Sequence, residues 1–333
     1  MSESVTGPLS ETPQGSADLL PEDGFSVPAV AAPGLAAAPG APAGLGGGTA
    51  MAPKRGDFFY YGLRNRKLVF GLSVELLLVL FAIIGPMIAK YAPEAFTGAQ
   101  LHHPGAKYWL GTNSLGNDVF SQLTNGLRES YLVGLLGAVS AAIVGMALGF
   151  TAGWRGGILD EILQMITNVV VMVPALVLLV VIGSYLTSKT VFFEGVFIGL
   201  TTWPWVARAV RAQTFSLRSR EFVEMARLSG KRPLQIIVKD IAPNMASYLF
   251  LVVILLFGSS MLLAASYDFL GLGPTGTVSL GSMMNQAQNE GALLYHEWWW
   301  FIPPGVVLTA MVAALLVANV GLDEVFNPKL REQ

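Results

Sequence analysis

Cysteine is absent from all 333 residues, which excludes disulfides and thiolate catalysis and removes the commonest zinc ligand. Histidine occurs only three times, at His102, His103 and His296, so no histidine-rich metal site is expected. Charge is scarce as well. Only 13% of residues are Asp, Glu, Lys or Arg while 53% are hydrophobic, against roughly 25% charged in an ordinary soluble domain. A chain this apolar cannot hide its surface in a water-soluble core. The G-x-x-x-x-G-K-[ST] loop that cradles nucleotide phosphates is missing, so any use of ATP needs another subunit. No nucleophile–base constellation or metal-assisted hydrolysis site is present either, which argues against an enzyme. Twenty basic residues against 22 acidic ones give no overall charge that would favour nucleic acid.

What fills the sequence instead is long runs without charge. Residues 130–154, 162–188, 241–267 and 298–322 contain no Asp, Glu, Lys or Arg, and each exceeds the roughly 20 residues needed to cross a bilayer as a helix. With an apolar stretch at about 68–89, broken only by Glu75, and a less clean one at about 190–209 bearing Glu194 and Arg208, six spans are expected, near 68–89, 130–153, 160–187, 190–209, 246–267 and 298–320. The fold class is therefore an all-α membrane protein with both termini on one side.

Residues 1–53 hold no Lys or Arg, five acidic residues, eight Pro and nine Gly. That composition buries too little apolar area to offset chain entropy, so a disordered tail is expected, followed by a transmembrane domain over 54–333. The tail also lacks the basic start and apolar core of a secretory signal. With the N-terminus inside, the cytoplasmic segments collect sixteen of the twenty basic residues, and only Lys90, Lys107, Arg128 and Lys189 fall outside. This asymmetry predicts that both termini are cytoplasmic, and the plasma (inner) membrane is the expected location.

The one large cytoplasmic connection, about 210–245, reads as a helical hairpin. Phe215, Phe222, Met225 and Leu228 recur at helical spacing on one side, and Arg220, Glu221, Glu224 and Arg227 on the other. Gly230 suits the left-handed position that ends a helix, and Pro233 the first turn of the next. Ile236, Ile237 and Ile241 continue an apolar face, and Pro243 is expected to stop it.

These residues carry a resemblance. The run Glu221-Phe222-Val223-Glu224-Met225-Ala226-Arg227-Leu228-Ser229-Gly230, followed by Ile241-Ala242-Pro243, is similar to the EAA signature of ABC-importer permeases, in which E-A-A, three residues, G and a downstream I-x-P recur. Trp109-Leu110-Gly111-Thr112-Asn113, Phe269-Leu270-Gly271-Leu272-Gly273 and Gly321-Leu322-Asp323-Glu324 resemble further motifs of the dipeptide, oligopeptide and nickel branch, in particular its second permease type. The departures are Met225 for Ala in the triplet, Ala242 for the usual Leu, Asn117 for an Arg, and Leu280 where a Trp is common. The resemblance covers about 65–330. It implies a type I ABC-importer permease that pairs with a second, homologous permease to form the pathway, with two ATPase subunits below, a solute-binding protein above, and the bilayer around it. It further implies that the hairpin docks on an ATPase through Glu221, Glu224, Met225, Ala226, Gly230, Ile241 and Pro243. This chain would bind no cofactor, ATP and Mg being held by the ATPase subunits. Short peptides rank first as cargo, with oligosaccharides or nickel as alternatives, and a stand-alone carrier or channel as a reading of a different class.

Isolated positions add expectations of their own. Glu75 inside a span is expected to face another span or the inner interface rather than solute. Gly145, Gly149 and Gly153 repeat every four residues and suit close helix approach, within the chain or between subunits. Pro174 and Pro204 are candidate kinks lining a pathway. Trp298, Trp299 and Trp300 read most simply as an interfacial aromatic belt.

Overall fold

The computed structural model describes residues 62–185 and 189–326. The acidic tail 1–53, Lys54, Arg55, Pro328, Lys329 and Arg331 lie outside the described residues. The chain order is α1 (Arg66–Ile88), α2 (Val119–Arg155), α3 (Gly157–Met172), α4 (Ala175–Tyr185), α5 (Val191–Leu217), α6 (Glu221–Leu228), α7 (Pro233–Ile236), a π-helical turn (Ile237–Ile241), α8 (Ala242–Asn244), α9 (Ala246–Phe269), α10 (Leu280–Asn289) and α11 (Trp298–Phe326). Among the described residues there is no strand, only one isolated bridge between Thr112 and Asp118.

Four helices, α1, α2, α9 and α11, are long and apolar enough to cross a membrane. α3 and α4 pass the same test together but are bent by 82°, as a broken span or a re-entrant loop. The bend has a local cause: Val173 precedes Pro174 and takes an extended conformation, φ −87° and ψ 122°, as a residue before proline is driven to do. Pro204, by contrast, lies buried inside the unbroken, 27-residue α5, which also carries Glu194, Arg208 and Arg211.

α2 corrects the boundary expected from charge-free runs. It begins at Val119 rather than near 130 and runs for 37 residues, so Gly126, Arg128 and Glu129 belong to the helix and not to the preceding connection. Asp118 caps it, its Oδ2 accepting from Ser121 N–H at 2.9 Å. Burial holds this carboxyl above the ordinary aspartate range, opposed by the Ser121 bond and the Lys90 charge.

The four-residue glycine stripe is an intrachain seam. A Cβ on Gly145 would stand 2.5 Å from Val206 Cβ, one on Gly149 2.7 Å from the Ala207 carbonyl oxygen, and one on Gly153 2.7 Å from Thr214 Cβ. α2 and α5 thus approach as closely as their backbones allow, which substitutes for the hydrophobic drive that lipid does not provide. A similar approach joins α1 to α11, where a Cβ on Gly71 would stand 2.6 Å from the Ala314 carbonyl oxygen. Lys67 Nζ and Asn65 Nδ2 close the end of that pair on Glu324, at 2.5 and 2.7 Å. Glu75 points across to α2, where Tyr131 donates to its Oε2 at 2.6 Å.

The connections at the other end of the helices are folded rather than loose. Asn113 Oδ1 accepts from Asn117 N–H at 2.7 Å and its Nδ2 reaches Gln122 Oε1 at 3.2 Å, pinning the 111–118 turn on α2. The three tryptophans do not form one belt. Trp298 is exposed, but Trp299 and Trp300 are buried: Trp299 Nε1 donates to the Thr112 carbonyl at 3.3 Å and its ring lies 4.4 Å from that of His103. Burial against this loop accounts for Trp299, and burial in the core cluster with Leu123, Met261 and Met311 for Trp300.

Candidate coupling hairpin

The hairpin expected over about 210–245 is present, and its turn follows from Gly230. At φ +73° this residue occupies the left-handed region, open to glycine without steric cost. Gly230 N–H donates to Arg227 O at 3.0 Å and Lys231 N–H to Ala226 O at 3.3 Å, the paired bonds of a Schellman motif that satisfy the last carbonyls of α6. Pro233 then opens α7, where the lost N–H has no helical partner to miss, and Gln235 Oε1 accepts from Arg232 N–H at 3.1 Å. Lys231 Nζ bridges the two arms to Asp240 at 2.8 Å.

Which side of the hairpin faces the bundle is decided by residues outside the two rows that helical spacing picked out. The inward positions are Val223 and Ala226, fully and almost fully buried, with Ile236, Ile241 and Met245 beside them on Val206 and Val210 of α5. Phe222, Met225 and Leu228 turn outward, 37%, 64% and 83% exposed, as do Leu234 and Val238 on the second arm. Ile236 and Ile241 share the buried face although they are five residues apart. The π-helical turn explains this, because Ala242 N–H bonds Ile237 O and the widened coil returns to the same side after five residues rather than four. Ile237, expected on that face, is only half-buried. Pro243 does not stop the segment. It sits at the start of α8, and the break falls at Met245, φ −113° and ψ 15°, immediately before α9.

Of the expected docking residues, Glu221, Glu224, Met225, Gly230 and Pro243 are exposed, whereas Ala226 and Ile241 are buried and support the others from beneath. The base that carries them is braced by Arg227 and by groups that periodicity did not single out. Arg218 Nη1 donates to the Gly153 and Trp154 carbonyls at 3.2 Å each, capping the end of α2. The Arg227 guanidinium lies 4.7 Å from the Trp154 ring centroid. Arg211 makes a bidentate pair with Asp160, both bonds at 2.5 Å, and Arg208 donates to Asn168 at 2.8 Å, so α3 is tied to the stem of α5 that leads into the hairpin.

Asp160→Ala leaves the Arg211 guanidinium, whose side chain is 30% exposed, without its carboxylate. The expected loss is about 1–3 kcal/mol of stability, the worth of a charge-assisted hydrogen-bond pair at a partly buried site. Thermal unfolding of the single variants and of Asp160→Ala/Arg211→Ala checks it, and the double variant should lose less than the sum of the two singles.

An apolar, outward-facing helix pair on a stem fixed to two membrane helices is a contact surface, and comparison with known proteins names its setting. A family model described as "Binding-protein-dependent transport system inner membrane component" matches residues 145–332, more than half of the chain and all of the hairpin. A second model, "N-terminal TM domain of oligopeptide transport permease C", matches residues 56–104. The oligopeptide transport system permease protein OppC of Mycobacterium tuberculosis is 31% identical over 272 residues, covering 81% of this chain and 92% of that protein. Its counterpart from Bacillus subtilis is 30% identical over 270 residues, 80% and 87% of the two chains. With several spanning helices, no strand among the described residues, and matches along most of its length, the chain belongs to the family of binding-protein-dependent transport system inner membrane components.

Proposed function

We propose that the chain forms half of the translocation pathway of an ATP-driven importer of short peptides. It is a transport subunit that pairs with a second permease, receives solute from a binding protein, and leaves ATP and its Mg to two separate ATPase subunits. The reading of peptides as cargo is supported by the oligopeptide permeases that resemble it along most of its length. In the proposed arrangement α5 serves as a sixth span beside α1, α2, the α3–α4 pair, α9 and α11, with both termini and the hairpin on the cytoplasmic side. The count of basic residues supports that orientation.

The observation that carries the mechanism is the exposed apolar row Phe222, Met225, Leu228 and Leu234 above the buried Val223, Ala226, Ile236 and Ile241. A short helix pair whose knobs enter a groove on an ATPase, and whose stem is clamped by Arg211–Asp160 and Arg218, moves as one lever. Closure of the ATPases on ATP would then tilt α5 and α9 and switch the pathway between its inward- and outward-facing states. Glu221 and Glu224 flank the knobs and would pair with basic groups on the groove. Of the two candidate pathway prolines, Pro174 is exposed at an 82° break and offers a wall to solute, whereas Pro204 is buried within α5.

Purification from the native membrane in mild detergent is expected to retain a second permease and P-loop ATPases. A homogeneous preparation without any ATPase would overturn the assignment and favour a self-sufficient carrier.

A further inference from the structure

At the end of the helices away from the hairpin lies a cavity of about 490 Å³ between the 94–122 segment and the stretch that follows α9. Its wall includes the carboxylates Glu94 and Asp268 and the amides Asn117, Gln122, Asn285 and Gln286, and contains no Lys or Arg. Asp268, at the end of α9, is 2% exposed. Its Oδ2 accepts from the Ser279 hydroxyl, while its Oδ1 is buried with no amide, hydroxyl or cation bonded to it. Gln286 Oε1 is likewise buried and unpartnered. Gly273 makes room for the acid, since a Cβ there would stand 2.8 Å from Asp268 Cγ.

Glu194, from α5, brings a second carboxyl group within hydrogen-bonding reach of Asp268, so the two share one proton and the pair keeps a single negative charge. Lys189 lines a small adjoining cavity with Glu194 but makes no ion pair with either acid among the described residues. That buried charge has no cation paired with it, Glu94 adds a second carboxylate to the cavity wall, and Gln286 Oε1 is an unpartnered acceptor, so the cavity favours a donor that carries positive charge.

We propose that this cavity binds the protonated amine of the transported solute, with Asp268 and Glu94 as the acceptors and the four amides as its polar surround. A volume of this size takes a short peptide end rather than a bare ion. The inference rests on the peptide reading above and adds to it a recognition step made by the permease itself, at the mouth through which solute would leave the binding protein.

The test uses the complex as it purifies, placed in lipid nanodiscs without binding protein, and two probes: a tri-alanine labelled with fluorescein at its C-terminus and the same peptide N-acetylated. The free amine is expected to bind about tenfold more tightly, the effect of one charge-assisted hydrogen bond. Glu94→Gln and Asp268→Asn are each expected to bring that ratio close to one. Glu94 is exposed, so its variant reports on the site even if Asp268→Asn fails to fold. Equal binding of the two probes, no binding of either, or a ratio that survives Glu94→Gln would overturn the proposal. Absence of ATPase subunits from the preparation would instead count against the importer, because the binding measurement needs none.

Discussion

Gly149→Val is expected to abolish accumulation of the folded protein. The first atom of the new side chain would stand 2.7 Å from the Ala207 carbonyl oxygen and 2.8 Å from Val210 Cβ. The first of these is backbone, so no rotamer change relieves it and α5 as a whole must move away from α2. Overpacking costs about 1–3 kcal/mol where side chains can adjust, and more where they cannot. That is a large part of the roughly 5–15 kcal/mol that holds a folded protein together. The loss would spread, because Gly145 and Gly153 on the same stripe face Val206 and Thr214, and separating the helices at one point opens the seam above and below. Gly258→Ala, on α9, is the control. Its new Cβ would meet nothing closer than Leu315 Cδ1 at 3.8 Å, an ordinary contact, and alanine is the better helix former. Fluorescence-detected size exclusion should give a monodisperse peak for Gly258→Ala and none for Gly149→Val. A normal peak for Gly149→Val would mean that α2 and α5 do not pack this closely.

That seam shows how far the sequence could be read. A glycine every four residues predicts a smooth stripe, yet it cannot say whether the partner is the same chain, and only Val206, Val210 and Thr214 opposite it decide the matter. Charge-free runs located α9 and the body of α11 well, since those helices are uncharged over most of their length. The same rule cut α2 short at Arg128 and Glu129, because long side chains near a helix end can reach water while the backbone stays helical. In the hairpin the turn was legible, because Gly230 and Pro233 act through their own backbone chemistry. The buried face was not. α6 has apolar residues on both sides, and periodicity alone could not choose Val223 and Ala226 over Phe222, Met225 and Leu228. The π-helical turn was hidden too, since a five-residue return looks like a phase error to a 3.6-residue template. Asp268 and Glu194 lie on different helices, and nothing in their local sequence announces that they meet.

The outward row on α6 leads to the largest functional effect expected. Leu228→Asp should leave folding intact and reduce ATP-driven uptake in proteoliposomes by about a hundredfold or more. Leu228 is 83% exposed and touches no part of the core, so a carboxylate there remains in water while the chain is alone. Seated in an apolar groove of an ATPase, the same carboxylate would be buried without a partner, at about 3–5 kcal/mol. That is enough to empty a micromolar interface. Met225→Asp, 64% exposed, should behave alike. Val223→Asp differs in kind: Val223 is fully buried against the α5 stem, so its variant should lose the hairpin and lower the unfolding temperature of the whole protein. The pattern that matters is the dissociation of the two readouts, uptake lost with stability kept for Leu228 and Met225, both lost for Val223. Retained uptake in Leu228→Asp and Met225→Asp would show that the exposed row is not the docking surface. Coupling would then have to pass through the second arm, at Leu234 and Val238, where the same substitution can be made.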